Sequence, residues 1–127
     1  MQHKHIYEYA IIRVVPVVER EEFVNAGVIL FCKKKKFIRM LYRLREEKIL
    51  ALMPDADIGE ISKNMEAFSR IAAGEKDAGP IAGMDEAERF RWLTAVRSAS
   101  IQTSRPHPGM SDDLDKAVNT LFAEMVG

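Results

Sequence analysis

A single cysteine, Cys32, stands in 127 residues. No intramolecular disulfide can form, and its place inside an apolar run reads as a small buried hydrophobe in a reducing compartment rather than a nucleophile. No apolar stretch approaches the length of a membrane span, and the opening Met-Gln-His-Lys-His has no apolar signal core. These absences predict a cytoplasmic protein with no membrane partner. There is no excess of charge of either sign: Lys plus Arg number 19, as do Asp plus Glu. No overall field then draws in a polyanion, which speaks against a nucleic-acid partner. No Gly-rich phosphate loop, zinc-ligand spacing or nuclease-like carboxylate cluster occurs, so neither cofactor nor metal is expected. Repeats and low-complexity segments are lacking too. A hydrophobic fraction of 47% with 30% charged residues is ordinary for a globular chain, and the length suits one domain over residues 1–127.

What is present divides into a strand-rich front and a helix-rich back. From about Ile6 to Val18 the chain is dominated by Ile, Val and Tyr, a strand composition. Alternation puts Tyr7, Tyr9, Ile11, Arg13 and Val15 on one face and Ile6, Ala10, Ile12 and Val14 on the other. Both faces are largely apolar, which predicts a central strand. Ala26 to Cys32 is a continuous apolar run and reads as a buried strand. Lys33 to Lys36 makes a charged turn, and Phe37 to Tyr42 returns as a third strand with Ile38, Met40 and Tyr42 facing in and Arg39 and Leu41 facing out.

Helical spacing follows. Arg45 to Leu52 forms a short helix stopped by Pro54. Asp57 with Glu60 three residues on resembles a capping box, and Ile61, Met65, Phe68 and Ala72 form one stripe ending at Gly74. Residues 74–83 are breaker-rich and read as a loop. Asp85 with Glu88 opens a second capped helix carrying Phe90, Leu93 and Val96. Ser100 to Gly109 reads as irregular, and Ser111-Asp-Asp caps a last helix with Leu114, Val118, Leu121 and Met125 on one face. The predicted class is α+β: a small antiparallel meander of three or four strands with three or four helices packed on it.

One polar set is embedded in the apolar front: Arg13, then Glu22, Asn25 and Gly27 across a turn. A charge inside an apolar strand is costly unless paired. If the first two strands form a hairpin, a bidentate Arg13–Glu22 bond with Asn25 holding turn backbone would staple it. Alternatively the three form the floor of a pocket for an anion or a carbonyl. Gly27 signals close backbone approach or a bulge. A second segment, Thr103-Ser104-Arg105-Pro106-His107-Pro108-Gly109, holds a hydroxyl, a guanidinium and an imidazole on a chain stiffened by two prolines. It is either a site or a connector with His107 in solvent. Ser104 and His107 make no catalytic pair without a third partner and oxyanion donors. The lysine turn reads as a solvated hairpin tip, His3 and His5 as too few ligands for a metal, and Arg89, Arg91 and Arg97 as diverging and cancelled by nearby acids.

The stretch from Tyr9 to Pro16 followed by Glu19 to Val28, with the later Ser104-Arg-Pro-His-Pro-Gly109, resembles a bacterial family named domain of unknown function 3037. The residues carrying the resemblance are Arg13, Pro16, Glu22, Asn25, Gly27, Pro108 and Gly109. Ala26 stands where that pattern expects Val. The family has no assigned activity, so the resemblance implies none. The resemblance does imply an accessory role, since members of that family are often encoded beside HipA-like kinases.

Two expectations from different classes follow. The first is a small interaction protein, not an enzyme, that docks a protein partner such as a HipA-like kinase through Arg105 and His107. The second is a small enzyme or anion or metabolite binder whose pocket joins Arg13, Glu22 and Asn25 with Ser104 and His107. A homo-oligomer formed through the last helix or an open strand edge would fit either.

Overall fold

The computed structural model describes residues 4–95 and 99–127. Three consecutive strands, β1 (His5–Val14), β2 (Val24–Cys32) and β3 (Phe37–Tyr42), form an antiparallel meander. Helices α1 (Glu46–Leu52), α2 (Ile58–Ala72) and α3 (Glu86–Leu93) follow. Two short strands, β4 (Ile101–Thr103) and β5 (His107–Ser111), then precede α4 (Leu114–Met125). The class is α+β, as the patterning predicts. The sheet has five strands rather than three or four, because the segment expected to be irregular returns to the sheet as β4 and β5. Both pair antiparallel with β1, β4 against Ile12–Val14 and β5 against His5–Tyr9. β1 is therefore central, with β2 on one side and the β4/β5 pair on the other.

The reach of β1 is shorter than its composition suggests. It ends at Val14, and Val18–Arg20 turns as a short 3-10 segment closed by Glu21 at φ 56°. Pro16 falls just beyond the strand, where a missing donor costs no ladder bond. Among the helices the capping aspartates act as the spacing requires. Asp57 accepts from the Glu60 N–H, Asp85 from Glu88 and Asp113 from Lys116. The α2 stripe of Ile61, Met65, Phe68 and Ala72 is buried throughout. Val96, expected to continue the α3 stripe, lies outside the described residues, as do Arg97 and His3.

Helices cover both faces of the sheet. On one, Ala10, Ile12 and Val14 of β1, Val24, Ala26, Ile29 and Phe31 of β2 and Ile101 of β4 pack against Ile49, the α2 stripe, Phe90 and Leu93. The Phe31 and Phe90 rings stack there with centroids 5.2 Å apart. On the other face Val28, Leu30 and Cys32 pack under Leu114 and Val118 of α4. Double coverage explains why β2 shows no polar alternation. It also corrects the expected orientation of β3: Leu41 and Arg39 pair with Val28 and Leu30 and so point toward α4. Leu41 packs in that second core, while Arg39 reaches Asp115 of α4 at 2.6 Å.

Candidate functional site

Both groups of candidate residues meet β1. At its C-terminal end the β1–β2 register shifts: Ile12 pairs with Gly27 and Arg13 with Asn25, leaving Ala26 as the extra residue of a bulge. The Ala26 carbonyl accepts instead from Arg43 N–H at 2.7 Å, and its methyl enters the three-helix core. Gly27 is required because its register partner in β3, Tyr42, approaches closely beside the bulge. A Cβ there would stand 2.6 Å from the Leu41 carbonyl oxygen and 2.9 Å from the Tyr42 Cβ.

Arg13 and Asn25 face the α4 side as register partners, but the expected staple to Glu22 does not form. Glu22 pairs with Arg20 at 2.7 Å, two residues away on an exposed turn. A partner that close in sequence loses less chain freedom in pairing than one across the hairpin. Arg13 instead lays its guanidinium over the Phe23 ring, 4.1 Å from the centroid. Nor does Asn25 hold the turn backbone. Its amide donates to the Met125 carbonyl at 3.2 Å, tying the bulge to the end of α4. The Nε of Arg13 and the Oδ1 of Asn25 are buried without a hydrogen-bond partner among the described residues. Beside them Phe23, Asn25, Lys48, Met125 and Val126 line an open depression of about 250 Å³.

The second segment resolves into one structural residue and two displayed ones. Between the stretches of β1 paired by β4 and by β5, the chain from Ser104 to Pro106 leaves the ladder. Pro106 has no N–H to donate. Ser104 takes over the pairing itself: its N–H donates to the Ile11 carbonyl at 2.8 Å, and its Oγ accepts from the Ile11 N–H at 2.9 Å. The hydroxyl also donates to the Arg105 carbonyl at 3.1 Å. Ser104 is the one buried polar residue of the described core, 7% exposed. Its hydroxyl is committed to backbone and makes no contact with His107.

Arg105 and His107, by contrast, are exposed. His107 pairs with Tyr9 across the β1–β5 ladder, their rings 5.5 Å apart and tilted 40°. Two positions along, Gly109 pairs with Tyr7, whose ring lies over it; a Cβ on Gly109 would come within 2.4 Å of that ring. Burial, the neighbouring Tyr9 and the Glu124 carboxylate together raise the Tyr7 pKa above its ordinary value.

The structure divides the roles within the two segments differently from the sequence reading. Arg13 and Asn25 converge. Glu22 turns away to Arg20, and His107 sits at the Tyr9 position, four strand residues from Arg13 or roughly 13 Å along β1. The roles of Tyr7, Tyr9 and Phe23 were missed, although Tyr-x-Tyr on one strand face opposite His-x-Gly was a usable signal. Among the described residues no three His, Cys, Asp or Glu side chains group as metal ligands, and no helix is long and apolar enough to cross a membrane.

A family model described as "Protein of unknown function (DUF3037)" matches residues 9–126, from Tyr9 through the end of α4. The chain belongs to the DUF3037 family. That match takes in the bulge, the Ser104 crossing and all four helices, so every feature described above except the first residues of β1 lies within the DUF3037 domain. No curated protein and no solved structure matches the chain.

Proposed function

We propose that this DUF3037 domain is a non-catalytic interaction module that docks a protein partner through the exposed Arg105 and His107. The observation that supports this most is the contrast at consecutive residues: Ser104 is buried and bonded to both backbone groups of Ile11, while Arg105 beside it is exposed. Polar side chains displayed on a segment fixed to a central strand lose little freedom on binding, which favours recognition. His107 is likewise oriented by Tyr9. A bound cytosolic protein, of which a HipA-like kinase is one instance, is the partner this reading names. The test is capture of partners from the native host at low and moderate salt by wild type and by Arg105→Ala/His107→Ala. A stoichiometric partner lost from the variant, with an unchanged melting temperature, is the expected result. A partner retained by the variant contradicts the assignment of the surface.

One observation favours a second reading, a small anion or carbonyl ligand at the β1–β2 bulge. Arg13 Nε and Asn25 Oδ1 offer a donor and an acceptor at one place with neither satisfied, and buried polar groups ordinarily find partners. Titration of the labelled protein with inorganic phosphate and with acetate, followed by amide shifts, separates the two. Saturable shifts confined to residues 13–25 and 125–127 support the ligand.

A further inference from the structure

Where β1 begins, α1–α3 no longer cover their face of the sheet. There Ile6 and Met110 are register partners across β1 and β5. They are 68% and 62% exposed, the two most exposed large hydrophobic residues of the described chain, and neither belongs to either core. Glu8, two residues along, pairs with Phe31, so this apolar pair lies beside the end of β2. Phe31 and Ala87 in turn floor a depression of about 380 Å³. One wall is Lys33 and Lys36, from the turn between β2 and β3. The opposite wall is Asp85 and Glu86, at the start of α3. Among the described residues Lys33, Lys36 and Glu86 form no ion pair.

An exposed apolar pair beside a depression lined by charge has the anatomy of an interface, apolar in one part and polar at its rim. The signs on the two walls say what fits it. A uniformly acidic or basic partner would gain at one wall and be repelled at the other. A second copy of this chain, turned by a two-fold axis through the depression, lays its lysine wall on the first copy's acidic wall and its acidic wall on the first copy's lysines. That is the self-complementarity an isologous dimer needs. With equal numbers of acidic and basic residues in the chain, no net repulsion opposes the approach of two copies. We infer that the protein self-associates as a two-fold dimer through Ile6, Met110 and the Lys33/Lys36–Asp85/Glu86 depression. The last helix, an alternative place for such contact, already uses its apolar face against β2.

Sedimentation velocity on the purified full chain tests this, over concentrations from about 1 μM to about 1 mM, the range in which weak association is read. The expected result is a shift from the 14.4 kDa chain mass to twice that mass. Ile6→Glu/Met110→Glu is expected to remain at the monomer mass throughout. Lys33→Glu/Lys36→Glu alone and Glu86→Lys alone each place like charges together and are expected to dissociate at least about tenfold more readily than wild type. Mixed in equal amounts, those two variants recover the wild-type Lys33/Lys36–Asp85/Glu86 pairing at one wall and offset Asp85 at the other, and are expected to associate more tightly than either variant alone. Ile6, Lys33, Lys36 and Met110 are exposed and Glu86 is half-buried, and at about 1 μM, where the chain is monomeric, a wild-type-like thermal melt accompanies each variant. A wild type that stays monomeric over the whole range overturns the inference and leaves the patch to a different partner. A dimer that ignores these substitutions, or a mixture that does not recover, overturns it equally. Because only the isolated protein is used, the outcome is independent of partner docking at Arg105 and His107.

Discussion

The two faces of the sheet are covered unequally. Against one lie three helices, and its strands contribute Ala10, Ile12, Val14, Val24, Ala26, Ile29, Phe31 and Ile101 to one core. Against the other lies α4 alone, over β2 and β3, with Val28, Leu30 and Cys32 beneath it and the half-buried Tyr7 and Tyr9 along its margin. The better-covered face carries the larger core, while the motif residues collect where α4 runs out: Arg13 and Asn25 at its C-terminal end, His107 and Tyr9 beside it. Coverage that stops part-way across a central strand leaves polar side chains on rigid backbone, and rigid backbone with accessible polar groups is where recognition is expected.

That comparison can be broken by unequal truncations. Phe90→Ala, in the three-helix core, should cost about 3–5 kcal/mol, and Leu114→Ala, on the sheet-facing side of α4, nearer about 2 kcal/mol. Chemical denaturation of the two variants checks the order; an equal or larger loss at Leu114 would show that α4 carries as much of the fold as the other three helices. Ser104→Ala should come next, at about 1–2 kcal/mol, because the part-buried Ile11 N–H is left without its acceptor. The smallest effect is expected at Tyr7. Its folded-state pKa is raised by burial first, then by Tyr9 and Glu124. The fold thus favours the neutral phenol: its contribution is fully present below the ordinary value of 10.0 and is lost as pH rises from there through the raised value. Tyr7→Phe should flatten the alkaline limb of a stability–pH curve and leave the neutral region nearly unchanged.

Much of the architecture was legible because its causes are local. Asp57, Asp85 and Asp113 cap their helices by bonds to residues three positions on, and the unbroken apolar run of β2 announced coverage on both faces. What was not legible depends on distant partners. β4 and β5 are three and five residues long, interrupted by prolines, and exist because β1 lies alongside; the Ile11–Ser104 bond spans 93 residues. The Asn25 partner is 100 residues away in α4. Leu41 was placed outward from the alternation of β3 alone, and α4 packs on that side of the sheet. Of the candidate site, Gly27 followed from backbone logic. The pairing of Glu22 did not, since Arg20 competes with Arg13 and the turn geometry brings Arg20 beside it.

The fixed attachment of the Ser104–Gly109 segment to β1 is the claim on which the docking surface rests, and amide hydrogen exchange at Ile11 measures it most directly. In the wild-type protein the Ile11 N–H should exchange as slowly as its neighbours in β1, while the exposed Arg105 exchanges fast. In Ser104→Ala the protection of Ile11 should fall first and furthest, with β5 following. An Ile11 amide that exchanges rapidly in wild type, or one indifferent to Ser104→Ala, would contradict a rigid platform and with it the reading of Arg105 and His107 as pre-positioned for a partner.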